Sequence, residues 1–245
     1  VFVEALNSKG LILLNQGRLA EARILLAAAV ERAHADQTYG SILRAENNLA
    51  VVLESMDRFA ESSEVSERAT AFARRRGDRR WESIMRTGTI IEFVFLGRWD
   101  EVLAIAEEER PSVATDSARG QLLNAALVHC ERGAPDRARA LFQNTEPLRD
   151  SAASQIRAGY AYVEARLLRA ESRPAEALAA AERALAVRGE LSMSDTNLKL
   201  GLNEAVEAAL DLRDLDRADE LLGIAESLDP GEVTPLLQGH TSRLR

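Results

Sequence analysis

Several residue types that catalysis, cross-linking or membrane anchoring would need are scarce in this 245-residue chain. Its single cysteine, Cys130, excludes an internal disulfide and a cysteine-rich metal site. One cysteine also suits a reducing compartment, and we expect a cytoplasmic location. A membrane-spanning helix needs about 20 apolar residues. The best candidate, residues 87–97, is too short and contains Glu92. No signal peptide is visible either, so we expect no membrane partner.

Positive charge is also in deficit. Lysine and arginine number 31 against 39 aspartates and glutamates, which gives a net charge of −8 and a pI near 5.1. General nucleic-acid binding relies on basic residues that neutralise phosphates, so no nucleic-acid partner is expected. Hydrophobic residues make up 46% of the chain, which excludes a disordered polymer and allows a sizeable core.

No constellation of residues with catalytic or ligand-binding chemistry is apparent. Three histidines, His34, His129 and His240, lack His or Cys neighbours at metal-ligand spacing, so no metal site is predicted. His129 and Cys130 are adjacent on a predicted helix and point in different directions, which disfavours a nucleophile–base pair. No glycine-rich phosphate loop is present. We therefore predict no catalytic residues, no cofactor and no enzymatic activity.

One basic cluster stands out in the acidic chain, Arg74–Arg76 followed by Arg79 and Arg80. Two interpretations stay open. The cluster could bind phosphate or an acidic partner. Alternatively, its arginines offset the negative end of a helix dipole.

What the chain does contain is a helical period with a repeated turn. Apolar residues recur three and four apart, and no segment alternates as a strand does, so the predicted fold is all-α. Six short segments share a pattern: a glycine or polar residue, then one intervening residue, a hydrophobic or proline, two more residues and a small one. They begin at Gly17, Asp57, Gly97, Gly133, Ser172 and Arg213, with spacings of 40, 40, 36, 39 and 41 residues.

Each of these segments is predicted to be a turn between two helices. The first residue suits the left-handed conformation that ends a helix, and Pro135 and Pro174 suit the first turn of the next one. The predicted helix pairs are 2–16 with 19–34, 38–55 with 58–76, 79–96 with 99–109, 115–132 with 135–144, 152–171 with 174–187, and 196–212 with 215–227. Thr234-Pro235 predicts the start of another helix, over 233–245, that we expect the chain end to truncate.

Mostly small residues stand at fixed offsets around the turns, where they would let paired helices approach closely. Seven residues before each turn come Gly10, Ala50, Ile90, Ala126, Ala165 and Val206. Five after it come Ala22, Ser62, Val102, Ala138, Ala177 and Ala218. Twelve after it come Ala29, Ala69, Glu109, Thr145, Ala184 and Ala225.

These positions resemble the signature of the tetratricopeptide repeat (TPR) family over essentially the whole chain. The residues that carry the resemblance are Gly10, Leu13, Gly17, Glu21, Ala22, Leu26 and Ala29, then 48–50 through Ala69, and Leu215 through Ala225 with Pro230. The repeats are longer than the family's usual period of about 34 residues. The long, alanine- and arginine-rich repeats are also similar to the C-terminal TPR arrays of bacterial ATPase-linked regulators, such as LuxR-type transcription regulators and adenylyl cyclases.

The resemblance implies a right-handed superhelical solenoid of about six antiparallel helix pairs, with residues 1–245 forming a single array. The expected repeats are approximately 2–36, 37–77, 78–113, 114–148, 150–190 and 191–230.

In this family the first helix of each pair lines a concave groove, and the resemblance implies that ligands bind there. The partner-binding residues expected on it are Asn7, Arg44, Asn47, Glu54, Tyr162, Arg166, Arg169, Asn203 and Glu207. Arginine and tyrosine are the expected anchors. The middle of the groove is apolar, with Thr87, Ile91, Val94, Phe95, Leu123 and Leu127. These six either meet an apolar partner or only pack between neighbouring helices.

The function expected from the sequence is a non-catalytic protein–protein or peptide interaction module. We expect it to be the regulatory or scaffolding TPR array of a larger bacterial signalling or transcription-regulator protein. The alternative is a sensor that binds a small molecule or signal peptide inside the superhelix. The sequence leaves open who the partner is and whether the array forms a homodimer.

Overall fold

The computed structural model describes residues 1–109 and 115–245, without the side chain of Glu109. Within these ranges it contains thirteen α-helices, one 3-10 helix and no strand, which confirms the predicted all-α class. The first helices are α1 (Phe2–Asn15), α2 (Leu19–Ala35), α3 (Tyr39–Ser55), α4 (Phe59–Arg75) and α5 (Arg79–Phe95). They are followed by α6 (Trp99–Glu109), α7 (Asp116–Glu131), α8 (Pro135–Phe142) and the 3-10 helix Gln143–Asp150. The last are α9 (Ser154–Ala170), α10 (Pro174–Leu185), α11 (Thr196–Asp211), α12 (Leu215–Glu226) and α13 (Pro235–Leu244).

Every predicted helix is present, and no predicted end differs from the observed one by more than two residues. The largest differences lie where helices give way to other structure, as at the end of α8, where the chain continues as a 3-10 helix through Pro147. The expected boundary between the third and fourth repeats, at residues 113 and 114, lies outside the described residues.

The backbone adopts the left-handed conformation at all six predicted turns. The first residues with their φ angles are Gly17 (72°), Asp57 (61°), Gly97 (72°), Gly133 (67°), Ser172 (60°) and Arg213 (60°). The next amide then bonds back to a carbonyl of the last helical turn, as Arg18 N does to Leu13 O at 2.9 Å and Arg173 N to Leu168 O at 2.9 Å. This bond satisfies a carbonyl that the helix end leaves without a partner.

An arginine–glutamate pair recurs at the start of four outgoing helices. The arginine directly follows the turn residue and donates two hydrogen bonds to a glutamate three residues further on, as Arg18 does to Glu21 at 2.7 and 2.6 Å. The other three pairs are Arg58–Glu61, Arg98–Glu101 and Arg173–Glu176. In the two remaining turns the glutamate position holds Arg137 and Arg217.

The small residues around the turns are the points of closest packing. Every member of the three sets is buried, except that the side chain of Glu109 lies outside the described residues. At Gly10 a Cβ atom would lie 2.6 Å from Leu26 Cγ, and at Gly201 it would lie 2.9 Å from Ala184 Cβ. Larger side chains at these places would force neighbouring helices apart.

The chain divides into two compact units, Val1–Gly97 and Arg98–Arg245, which we call the first and second units. In the first unit, α3 packs against both α1 and α5. In the second, α7, α9, α11 and α13 pack successively against one another. Among the described residues no comparable packing joins α2 to α4, α8 to α10 or α10 to α12. Within each unit, therefore, the first helices of the pairs form a closely packed inner layer, and the second helices form an outer one.

The first unit buries a carboxyl group that has no cationic partner among the described residues. Glu92 is 1% exposed, and its Oε1 lies 2.6 Å from Ser62 Oγ. Ser62 Oγ also lies 2.8 Å from the carbonyl oxygen of Ala50. A hydroxyl carries one proton, so both contacts are satisfied when Glu92 is protonated and donates to Ser62. Burial raises the pKa of Glu92 to about 7, in keeping with this arrangement.

Candidate functional site

The structure distributes the nine predicted partner-binding residues over the inner layers of both units. Asn7 lies on α1, and Arg44, Asn47 and Glu54 lie on α3 of the first unit. In the second unit Tyr162, Arg166 and Arg169 lie on α9, whereas Asn203 and Glu207 lie on α11. The candidate site therefore consists of one inner face in each unit.

In the second unit, ion pairs link four successive inner helices into one network. Arg166 Nε lies 2.7 Å from Glu131 Oε1, which joins α9 to α7. Arg169 joins α9 to α11 through three carboxylates, and Arg243 joins α13 to α11 through Glu207. The network thus brings Arg166, Arg169, Asn203 and Glu207 together, as Arg243 Nη2 also donates to Asn203 Oδ1 at 3.2 Å. We call this set of side chains the inner network.

Arg169 is fully engaged in holding α11 in place. Its Nε donates to Asp211 Oδ2 at 3.0 Å, its Nη1 to Glu204 Oε2 at 3.0 Å and its Nη2 to Glu207 Oε2 at 3.2 Å. All three guanidinium nitrogens therefore have a carboxylate partner on α11, and the side chain is 17% exposed. We conclude that Arg169 has a structural role.

Arg166 differs from Arg169 because its outer nitrogens stay open. Only Nε is engaged, at 2.7 Å from Glu131 Oε1 and 3.9 Å from Glu204 Oε1. Its Nη1 and Nη2 have no hydrogen-bond partner among the described residues, and the side chain is 24% exposed. Arg166 is therefore held by carboxylates from both neighbouring helices and still offers donors to solvent.

Burial controls the charge states around the inner network. It raises the pKa of Glu204, although Arg169 and Arg166 lower that pKa in part. Burial tends to lower the pKa of Arg166, but the hydrogen bond to Glu131 and the charge of Glu204 outweigh it and leave the pKa raised. Burial also raises the pKa of Cys130 to about 12, so its thiol stays protonated and is a poor nucleophile at neutral pH.

Tyr162 does not lie where the sequence placed it. It was expected as an exposed anchor, yet it is 6% exposed, and burial raises the pKa of its hydroxyl well above the usual value. Tyr162 stands four residues before Arg166 on the same face of α9, and the packing of α9 against α7 and α11 covers its ring. A partner on the inner face would meet Arg166 rather than the tyrosine.

In the first unit, the inner face carries a smaller polar cluster. Glu4 accepts hydrogen bonds from Ser41 Oγ at 3.2 Å and from Arg44 Nη1 at 3.0 Å. Asn48 Nδ2 donates to Asn7 Oδ1 at 3.3 Å. Asn7 Nδ2 is buried and has no partner among the described residues. On this face, therefore, the Nδ2 amide of Asn7 is a donor without a partner among the described residues, whereas Arg44 is already paired with Glu4.

Seven members of these two clusters are not among the predicted residues: Glu4, Ser41, Asn48, Glu131, Glu204, Asp211 and Arg243. Two of them share a register that could have identified them. Glu131 and Asp211 both stand two residues before a turn residue, at the end of an inner helix. The others share no such register, and only the packing of the helices brings them to their partners.

The residues expected in an apolar groove are unevenly buried. In the second unit, Leu123 and Leu127 are 7% and 2% exposed, so they belong to the core. In the first unit, Thr87, Ile91, Val94 and Phe95 on α5 are half-buried, and Phe95 stacks on Phe59 with ring centroids 4.1 Å apart. Packing between helices therefore accounts for the two leucines.

The basic cluster is exposed at the junction of α4 and α5. Arg74 pairs with Glu82 at 2.8 Å. The guanidinium carbons of Arg75 and Arg76 lie 5.9 and 5.7 Å from the ring centroid of Phe72.

Among the described residues, no group of three or more His, Cys, Asp or Glu side chains could hold a metal ion. Nor is any helix there long and apolar enough to cross a membrane.

Comparison with known proteins supports the fold only. No family model and no curated protein matches the chain. Among solved structures it is similar to that described as "Crystal structure of BtubC (BKLC) from P. vanneervenii", with a TM-score of 0.51 and 15% identity over 94% of each chain. At this identity the similarity shows a shared all-α helical-repeat architecture and carries no information about binding.

Proposed function

We propose that this chain is a non-catalytic interaction module that binds a protein or peptide on the inner face of its helical repeats. The observation that carries the proposal is the state of Arg166. Its position is set by Glu131 and Glu204, while both terminal nitrogens stay open. A guanidinium group that is fixed in this way loses little side-chain freedom when it binds a carboxylate.

The charge distribution indicates the kind of peptide. Residues 1–97 contain 13 basic and 13 acidic residues, which leaves 18 basic and 26 acidic residues in residues 98–245. The whole net charge of −8 therefore lies in the second unit. Its field favours basic partners, whereas Arg166 favours a carboxylate. We infer a peptide that offers one carboxylate to Arg166 and carries basic residues on either side, within reach of Glu131 and Asp211.

The wider biological setting is part of the same proposal. The resemblance of the repeats to TPR arrays supports a regulatory or scaffolding role in a larger bacterial signalling or transcription-regulator protein. Small rotations between successive repeats would carry the binding event along the array.

Selection from a displayed peptide library against the full chain tests the proposal. We expect enriched peptides to contain an acidic residue flanked by basic ones. We also expect Arg166→Gln to weaken their binding about tenfold or more, the usual cost of losing a charged hydrogen bond. The matched control is Arg18→Gln, which removes an exposed pair with Glu21 in the first unit and should leave affinity unchanged.

The proposal fails if a correctly folded Arg166→Gln variant and wild type bind the selected peptides equally. If circular dichroism shows Arg166→Gln to be misfolded, the conservative Arg166→Lys variant decides. It keeps the charge but cannot make a bidentate contact, so equal affinity for Arg166→Lys and wild type would refute a bidentate role.

A further inference from the structure

A groove of about 320 Å³ lies in the second unit between the outer helices α6 and α8, with α7 as its floor. Its apolar surface comes from Leu103, Leu122, Ala125 and Leu141. This volume lies at the lower end of the range of small-molecule sites, roughly 300–1,000 Å³. The groove is on the outer side of the repeats and is therefore separate from the inner network.

A second groove of about 290 Å³, between α10 and α12, occupies the equivalent place two repeats later. There Arg217 lies four residues after the turn residue Arg213, and Glu182 lies ten residues after the turn residue Ser172. Arg217 donates to Glu182 Oε1 from Nε at 3.0 Å and from Nη2 at 2.5 Å. It also pairs with Glu220, three residues further along α12, at 2.6 Å. Arg217 is thus paired with two carboxylates of the chain itself, and Arg188 is a second arginine in the lining of this groove.

The groove between α6 and α8 has the same register but not the same pairing. Arg137 stands four residues after the turn at Gly133, and Glu107 stands ten residues after the turn at Gly97. No ion pair between Arg137 and Glu107 is found, and Arg137 has no carboxylate partner among the described residues. The position that corresponds to Glu220 is Ala140, which lines the groove. Glu107 therefore lines the groove without pairing with Arg137, and the counterpart of Glu220 is replaced by an alanine.

His129 lies close to two arginines beside this groove. It lines the groove from α7, and burial, together with the charges of Arg137 and Arg132, lowers its pKa. After burial, the charges of Arg137 and Arg132 are the causes of this shift, and a carboxylate bound beside the imidazole would offset them. The groups that face His129 are Arg137 on α8, Arg132 just after the end of α7, and Glu107 on α6.

We propose that the groove between α6 and α8 binds a small amphipathic carboxylate. Its carboxylate pairs with Arg137, beside His129, and its apolar chain lies on Leu103, Leu122 and Leu141. The combination of an unpaired guanidinium at the rim and an apolar floor fits this class of ligand. This site lies on the outer side of one unit and is distinct from the ligand site expected inside a superhelix.

Isothermal titration of the full chain with octanoate tests this proposal, with octanol as the uncharged analogue. We expect octanoate to bind wild type, and Arg137→Gln to weaken it about tenfold or more through loss of the charged pair. Arg217→Gln is the matched control, since it removes the equivalent, carboxylate-paired arginine from the groove between α10 and α12. It should change octanoate affinity less than about twofold. Octanol should bind more weakly than octanoate.

An NMR titration of His129 gives a second readout that does not depend on affinity. Bound octanoate places a negative charge beside the imidazole, so the pKa of His129 should rise and binding should tighten as the pH falls through that pKa. The proposal is overturned if millimolar octanoate does not bind wild type, if Arg137→Gln and Arg217→Gln bind it alike, or if the His129 pKa stays constant. The Arg166→Gln variant should bind octanoate like wild type, which separates this result from the peptide proposal.

Discussion

Replacing Arg169 with glutamine should destabilise the second unit because the carboxylate of Glu204 would lose its closest cation. Arg169 Nη1 lies 3.0 Å from Glu204 Oε2, whereas Arg166 Nε lies 3.9 Å from Oε1. The Glu204 side chain is 6% exposed, so water cannot take the place of the arginine. The other two partners of Arg169 suffer less, since Glu207 keeps Arg243 and Asp211 is about half exposed.

The size of the effect is bounded by the free energy of protonating Glu204. One pKa unit is worth about 1.4 kcal/mol. Protonating a carboxyl group of ordinary pKa 4.5 at pH 7 therefore costs about 3.5 kcal/mol, which is the most that the lost partner can cost through this group. Since Arg166 retains part of the interaction, we expect a loss of about 2–3 kcal/mol at pH 7.

The pH dependence of this loss of stability follows from the ionisation of Glu204. The pKa of Glu204 is already raised in the folded protein and rises further in the variant. Below the unfolded pKa the carboxyl group is protonated in both states, so the penalty is absent there and grows as the pH rises above it. The loss should accordingly shrink from about 2–3 kcal/mol at pH 7 to below about 1 kcal/mol at pH 5.

Urea unfolding at pH 7 and pH 5 measures these losses, provided that the slope with denaturant is unchanged. The double variant Arg169→Gln/Glu204→Gln should recover most of the stability at pH 7, because no charge is then left buried. Arg173→Gln is the control, since its pair with Glu176 is exposed and worth less than about 1 kcal/mol. A loss that is independent of pH, or a double variant as unstable as the single one, would refute the reasoning.

Four further substitutions have predicted effects. Gly10→Ala should lower the free energy of unfolding by about 1–2 kcal/mol because the new Cβ meets Leu26. Gly88→Ala has open space around it and should raise the free energy of unfolding by about 0.5–1 kcal/mol through helix propensity. Equal urea midpoints for the two variants would contradict this. Ser172→Gly should raise the free energy of unfolding by about 1 kcal/mol, because a φ of 60° is strained for serine and not for glycine; a lower urea midpoint would show that the turn is not strained. Glu92, with a pKa of about 7 in the folded state against an ordinary 4.5, should lower stability by about 3 kcal/mol between pH 4.5 and pH 8, and Glu92→Gln should abolish this fall; an unchanged pH profile in the variant would show that the pKa of Glu92 does not differ between the folded and unfolded states.

The helices and turns could be predicted because the interactions that form them are local. The spacing of six short segments located the turn residues, and all six have positive φ, including Ser172 and Arg213, which lack the conformational freedom of glycine. The small positions followed from the same register. Gly10, for example, lies where a Cβ would meet the next helix.

The candidate site could be predicted only as a set of positions. The register put Arg166 and Arg169 on an inner helix, but it could not say which guanidinium would be occupied. Tyr162 shows the same limit. Tyr162 lies one helical turn from Arg166, and its position in the register predicts a groove anchor. The packing of α9 against its neighbours buries the side chain instead.

By itself, the sequence determined the all-α class, the ends of the helices, the left-handed turns and the small residues at the helix contacts. Each of these depends on residues that are close along the chain. Only the tertiary structure decided which arginines are neutralised and which stay open. The partners of Arg169 and Arg217 on neighbouring helices lie 35 to 42 residues away in sequence, and only helix packing brings them within hydrogen-bond distance. For Arg166 and Arg137 the same packing leaves donors open, and those donors carry the two binding proposals.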